Sequence, residues 1–210
     1  MPTLPMFPLE VAMLPGEELP LRIFEPRYSA LVRACLAAED PVFGVVLIAA
    51  GREVGGGDAR SDVGALARIT EHSDLGAGRY RLKCVMAERI RVLEWLPDDP
   101  YPRAVMQEWP DEPGGPVDFA AIRDIEDRMV GLFERIATAR GAQVNARDIV
   151  HGADDSGDPA QWLYALTARL PMGQADRYAI LAAPSVADRV AALSEAVDTV
   201  IAMVEFQLSE

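Results

Sequence analysis

The chain changes its hydrophobic period once. Up to about residue 109 the apolar positions run unbroken or alternate. Beyond residue 116 they recur every three or four positions. In the first part, residues 41–51 (PVFGVVLIAAG) form a continuous Val- and Ile-rich run, the pattern of a fully buried strand. Residues 79–86 (RYRLKCVM) alternate, with Arg79, Arg81 and Lys83 on one side and Tyr80, Leu82 and Cys84 on the other. Residues 89–95 (RIRVLEW) do the same with Arg89 and Arg91 opposite Ile90 and Val92, and Ala87–Glu88 between the two runs predicts a hairpin or bulged turn. Residues 101–109 (YPRAVMQEW) add a strand with Pro102 near its start or on an edge. With LPMF (4–7), VAML (11–14) and VGALARITEH (63–72) there are six or more short strands, which predicts a barrel-like or sandwich β-domain.

One helix interrupts these strands. Pro26 suits a first helical position, where its missing N–H costs nothing. Tyr28, Leu31, Val32, Cys35 and Leu36 then share one face, and Asp40-Pro41 stops the helix. The segment PDEPGGP (110–116) is the expected boundary, giving a β-domain over 1–115 and a helical bundle over 116–210. In the second part Ile122, Ile125, Met129, Leu132, Phe133 and Ile136 make one stripe, ended by Gly141. Asp158-Pro159 reads as an N-cap with Pro behind it, with Trp162, Leu166 and Leu170 facing a core. A short segment follows around Tyr178–Leu181. Ser185 and Asp188 then have capping-box spacing before a stripe of Val186, Val190, Leu193, Val197, Val200, Ile201 and Val204. That last stripe closes the bundle or pairs with a second copy of the chain.

Charge narrows the function classes. The net charge is −13, and both parts are acidic, with 12 basic and 18 acidic residues up to residue 116 and 8 and 15 after it. Neither part holds the clustered cations that phosphate backbones or anionic membranes require, so no nucleic-acid or membrane partner is expected. Lys83 is the only lysine. It precedes a cysteine, so the chain contains no G-K-[ST] phosphate loop, and it is the sole candidate base for a serine–lysine pair. His72 and His151 are the only histidines, with no H-E-x-x-H and no G-x-S-x-G around a serine. The Gly-rich stretch from Gly51 to Asp62 reads as a loop, and DDSGD (154–158) lacks EF-hand spacing. Cys35 and Cys84 lie in apolar stripes and read as buried free thiols. No cofactor, metal or catalytic constellation is expected. The start of the chain lacks the basic n-region of a signal peptide, and cytoplasm is the expected compartment.

One segment, LPLRIFEPRYSALV (19–32), combines an extended run, a corner and a helix start. At its centre are Phe24, Glu25, Arg27 and Tyr28. One reading makes the corner structural: Glu25 and Arg27 tie it together while Phe24 and Tyr28 pack between helix and barrel. The other makes it the border of a groove for an extended or unfolded peptide, since aromatics and Arg are the usual anchors there. An exposed sheet edge could also take a peptide as an added strand.

The run LPMFPLEVAMLPGEELPLRIFEPRYSALV (4–32) closely resembles the start of the N-terminal domain of Lon, the ATP-dependent protease. The resemblance continues through FGVVLI, GREVGGG, VGALARI, GRYRLKCVMAERIRVLEW and DDPYPRA, and through LPMGQADRYAILAAPSVADRVAAL near the C-terminus. It implies an α+β fold: a PUA-like β-barrel, a pseudobarrel of six or more strands with one inserted helix, followed by a C-terminal helical bundle. It also implies a non-catalytic substrate-recognition module without ATPase or peptidase parts, whose partners are unfolded or tagged protein segments and a protease. The alternative is a hydrolase that sets His72 or His151 beside a Ser, Cys35 or Cys84.

Overall fold

The computed structural model describes residues 2–50, 59–151 and 157–209. Most of the Gly-rich loop and of the 154–158 carboxylates lie outside the described residues. The chain divides into two compact units, Met1–Pro110 and Asp111–Glu210.

The first unit carries strands β1 (Thr3–Leu9), β2 (Glu18–Ile23), β3 (Val42–Ala50), β4 (Ala59–Asp74), β5 (Tyr80–Leu96) and β6 (Arg103–Glu108). Helix α1 (Pro26–Leu36) lies between β2 and β3, with Pro26 in its first turn. The sheet order is β2-β5-β4-β3-β1-β6, and β6 also pairs with β5. The pairings therefore close a ring β5-β4-β3-β1-β6-β5, with β2 attached outside it along the first half of β5. The β1–β3 pair is parallel and every other pair antiparallel.

Two apolar cores explain the unbroken hydrophobic run of β3. Phe7, Phe43, Val45, Ala65 and Ala67 enter one core with Tyr28, Leu31, Val32 and Cys35 of α1. Met6, Val46 and Leu66 point the opposite way, into a smaller core with Ile90, Val92, Ala104 and Met106. β1, β3 and β4 are buried on both faces, so alternation disappears where they cross. The small core leaves little room. A Cβ on Gly44 would lie 2.5 Å from Met6 Sδ, and one on Gly64 would lie 2.0 Å from the Val45 carbonyl oxygen. Glycine at 44 leaves room for the Met6 side chain, and glycine at 64 lets β4 approach the β3 backbone at Val45.

Two strand expectations are corrected. Residues 79–95 do not form a hairpin, because β5 is one strand of 17 residues. Three steps from Met86 to Arg89 face two from Ala67 to Ala65, so Ala87–Glu88 is a β-bulge, which redirects a strand without ending it. β5 feeds Leu82, Cys84 and Met86 to the larger core before the bulge, and Ile90 and Val92 to the smaller one after it. VAML is not a strand either. Leu14, Pro15, Gly16 and Glu17 make a turn, with Gly16 at φ 87°, the Glu17 N–H donating to the Leu14 carbonyl (3.2 Å) and Glu17 Oε2 accepting from the Leu14 N–H (2.8 Å). The strand lies just beyond, in ELPLRI.

The second unit holds α2 (Phe119–Ala139), α3 (Ala146–His151), α4 (Pro159–Arg169), α5 (Gln174–Leu181) and α6 (Val186–Leu208). Its core gathers Ile122, Ile125, Met129, Leu132, Leu163, Leu166, Val190, Leu193, Val197 and Val200, close to the stripes read from sequence. Asp158 caps α4 by accepting from the Ala160 N–H at 2.9 Å. Ser185 Oγ accepts from the Asp188 N–H and donates to the Asp188 carboxylate at 2.6 Å. Arg189 is the departure: it is wholly buried, makes a two-pronged ion pair with Asp111 and lies 4.2 Å from the Tyr164 ring centroid. No described helix is long and apolar enough to cross a membrane.

Cys35 and Cys84 are free and buried in the larger core. Burial pushes both thiols up to about 12. Three outcomes follow. Gly64→Ala is expected to cost the β unit on the order of 3 kcal/mol in urea unfolding, because the obstacle is backbone rather than a movable side chain. The native thiols should stay unreactive toward a disulfide reagent at pH 8 and react fully in denaturant. Above the unfolded thiol value of about 9 the unfolded chain releases protons that the native state holds, so stability falls as pH rises from 9 toward 12. Thermal melts of the wild type across that range, compared with Cys35→Ala, check the sign: the variant's melting temperature should decline less steeply.

Candidate functional site

The chain leaves β2 at Ile23, turns through Phe24 and Glu25, and enters α1 at Pro26. Glu25 occupies the N-cap with extended backbone but caps no N–H with its side chain. Its carboxylate instead accepts from Arg27 Nε at 3.1 Å, with the two side chains 19% and 17% exposed. The Arg27 guanidinium lies 4.4 Å from the centroid of the Tyr28 ring, within cation–π range. Tyr28 is buried and stacks on Phe7, with centroids 4.1 Å apart and planes inclined by 26°. Phe7 in turn meets Phe43 at 6.0 Å. An unbroken series therefore runs from the Glu25 carboxylate through Arg27 and Tyr28 to the β-sheet core.

Ser29 completes the corner. It is buried, its N–H donates to the Glu25 carbonyl at 2.9 Å, and its hydroxyl donates to the Gly78 carbonyl in the β4–β5 connection. This ties the start of α1 to the tip of a long hairpin. Sequence reading passed over Ser29 because a serine on a helix start usually looks outward.

Phe24 behaves differently. It is 65% exposed and does not pack between helix and barrel, which corrects that half of the structural reading. The corner thus divides into an anchored part, Glu25, Arg27 and Tyr28, and a presented part, Phe24. Presentation follows from the alternation of β2, whose Leu19, Leu21 and Ile23 point inward while Glu18, Pro20 and Arg22 point out. Phe24 continues the outward series.

His72 is exposed on β4, in the first unit, and His151 is exposed on α3, in the second, where its ring lies 6.4 Å from Trp162. The two thiols are buried and held neutral, so neither is an activated nucleophile. Among the described residues no three of His, Cys, Asp and Glu are placed to hold a metal ion. The four arginines of β5 and its approach do not form one solvated face. Arg89 is buried, and Arg89 and Arg91 both lie against Trp109, at 4.4 and 3.8 Å, because the bulge separates them from Arg79 and Arg81.

Residues 3–199 match the family model described as the ATP-dependent protease La (LON) substrate-binding domain. A search of curated proteins finds no match for this chain. Among solved structures, the Lon N-terminal domain protein from Xanthomonas campestris is similar at a TM-score of 0.61 and 24% identity, over 92% of this chain and 97% of that one. The N-terminal domain of Mycobacterium avium complex Lon protease is similar at 0.63 and 14% identity, over 94% and 98%. These likenesses bear on the fold, which is α+β with a six-stranded mixed sheet and a helical unit. The match over residues 3–199 bears on the family, and this chain belongs to the substrate-binding domain family of the ATP-dependent protease La, or Lon.

Proposed function

We propose that this chain grips protein segments without chemistry of its own, using the surface around Phe24. The carrying observation is the exposure of Phe24 on a corner that Glu25, Arg27 and Tyr28 hold fixed to the core. An exposed aromatic on a pre-organised support loses little entropy on binding, which is what makes such residues anchors. The ligands are unfolded or tagged segments of other proteins, and the module delivers them to a protease partner. Arg27 and Tyr28 act as positioning residues, since both are spent on holding the corner.

The hydrolase reading draws no support from the exposed histidines or from the protonated thiols. A nucleic-acid partner is disfavoured by the charge of −13 and by the withdrawal of Arg89 and Arg91 onto Trp109.

Fluorescence anisotropy with labelled unfolded-protein segments, without ATP, tests the location. Phe24→Ala should weaken binding about tenfold while leaving the melting temperature unchanged, as expected for an exposed anchor. Arg27→Ala should weaken binding and also lower the melting temperature. Unaltered binding by Phe24→Ala would remove the corner from the site.

A further inference from the structure

Ring closure leaves one strand of the β unit open. Each of the other five described strands has neighbours on both sides along part of its length, whereas β2 pairs with β5 alone. The hydrogen-bond parity of that pair is fixed by the Met86 N–H, which donates to the Glu17 carbonyl at 2.8 Å. In an antiparallel pair such bonds recur every second residue. Leu19, Leu21 and Ile23 therefore bond to β5, and the backbone groups of Glu18, Pro20 and Arg22 face outward. The open edge offers three carbonyls and the two N–H groups of Glu18 and Arg22. Pro20 sits at the one kind of position where its missing N–H breaks no ladder bond.

The same register puts Arg22 directly opposite Arg81. They form a non-hydrogen-bonded pair, the class whose side chains approach most closely, at about 5 Å between Cβ atoms. Both are exposed, and neither has a carboxylate partner among the described residues. Of the two basic residues that flank Arg81 in that outward series, Lys83 is already paired with Glu71 at 2.9 Å and Arg79 Nε donates to the Gly76 carbonyl at 3.4 Å. Like charges set directly across a ladder are destabilising. In a chain of net charge −13, two adjacent guanidiniums left without acids are a feature that folding does not explain. They line, with Pro20 and Leu21, a concave region of about 540 Å³ where β2 meets β5.

The geometry points to an acidic extended peptide that adds to the β2 edge and places an Asp or Glu carboxylate against the Arg22 guanidinium, with the Arg81 guanidinium on the strand behind it. Two residues beyond Arg22, just past the end of β2, stands the exposed Phe24, so the segment carries a large apolar residue two positions from its acid. This rests on the peptide-binding reading above and gives it a ligand class. Backbone pairing supplies grip, and the guanidinium pair, whose forks match a carboxylate bidentately, supplies selection. A second copy of the chain is a poorer occupant. Pairing β2 with itself about Pro20 would set Glu18 against Arg22 but would also face two proline carbonyls with no N–H between them.

The test uses the full chain and a labelled extended nonapeptide with one Glu two positions from a Phe, beside its Glu→Gln analogue. The acidic peptide should bind about tenfold tighter than the amide, the value of a charge-assisted pair, and Arg22→Gln or Arg81→Gln should abolish that difference. Both arginines are exposed, so melting temperatures should hold or rise. A peptide with Arg in place of Glu should recover binding to the Arg22→Glu/Arg81→Glu protein. Exchange of the Glu18 and Arg22 amides should slow on binding. Equal affinity for acid and amide peptides, with Phe24→Ala still weakening both, overturns the arginine site and leaves the corner reading intact. Absence of binding by any peptide overturns both. Competition by inorganic phosphate or an oligonucleotide better than by the acidic peptide, or a dimer protected along β2, also overturns it.

Discussion

The β unit depends on closing a ring around a very small apolar interior. Met6, Val46, Leu66, Ile90, Val92, Ala104 and Met106 fill it, and Gly44 and Gly64 leave room for the Met6 side chain and for the Val45 backbone. Closure removes the hazard of unpaired strand edges from β1, β3, β4, β5 and β6. It also fixes where an edge can remain. β5 is long enough to serve the ring with its second half and β2 with its first, and the Ala87–Glu88 bulge lets one strand do both. The open edge of β2 is a consequence of that division.

How much of this was legible depended on whether the signal was local. The helical unit was mostly readable, because helix period, Asp158-Pro159 and Ser185 with Asp188 all act within one or two turns. Arg189 was not: an arginine inside an apolar stripe is bought by Asp111, 78 positions away, and no local pattern announces the pair. In the β unit the run over 41–51 was readable because burial on both faces leaves a continuous apolar string. The bulge at Ala87–Glu88 was read as a hairpin or bulged turn because both interrupt alternation, and only the register with Ala65 and Ala67 tells them apart. VAML misled because Ala12 and Leu14 are buried from irregular backbone that leads into a turn, not from a ladder.

The corner shows the same split. Its sequence announced an unusual cluster but could not assign directions to the side chains. Tyr28 points into the core because it lies on the inward face of α1 with Leu31, Val32 and Cys35, while Phe24 follows the outward series of β2. Glu25 and Arg27 are consumed between these two, in an ion pair and a ring contact that fix the angle at which helix leaves strand. The adjacency of Arg22 and Arg81 was invisible, since it exists only in one register of β2 against β5, and a slip of one residue would turn the inward Leu21 outward.

That register gives the electrostatics its meaning. Among the described residues of the β unit several cations have a local use: Lys83 with Glu71, Arg68 with Asp40, Arg60 with Asp98, and Arg89 and Arg91 against Trp109. Exposed ion pairs of this kind add little stability, but they cancel charge and leave little field at a distance. Against that neutralised background, two guanidiniums held side by side make a short-range positive feature. Its reach is limited to a Debye length of roughly 8 Å at physiological ionic strength, so a generally acidic surface does not erase it and a distant polyanion gains little from it. Such a feature suits a single carboxylate brought in on an extended backbone. The strand edge, the arginine pair and Phe24 then act in sequence along β2, each asking for something different of one short segment.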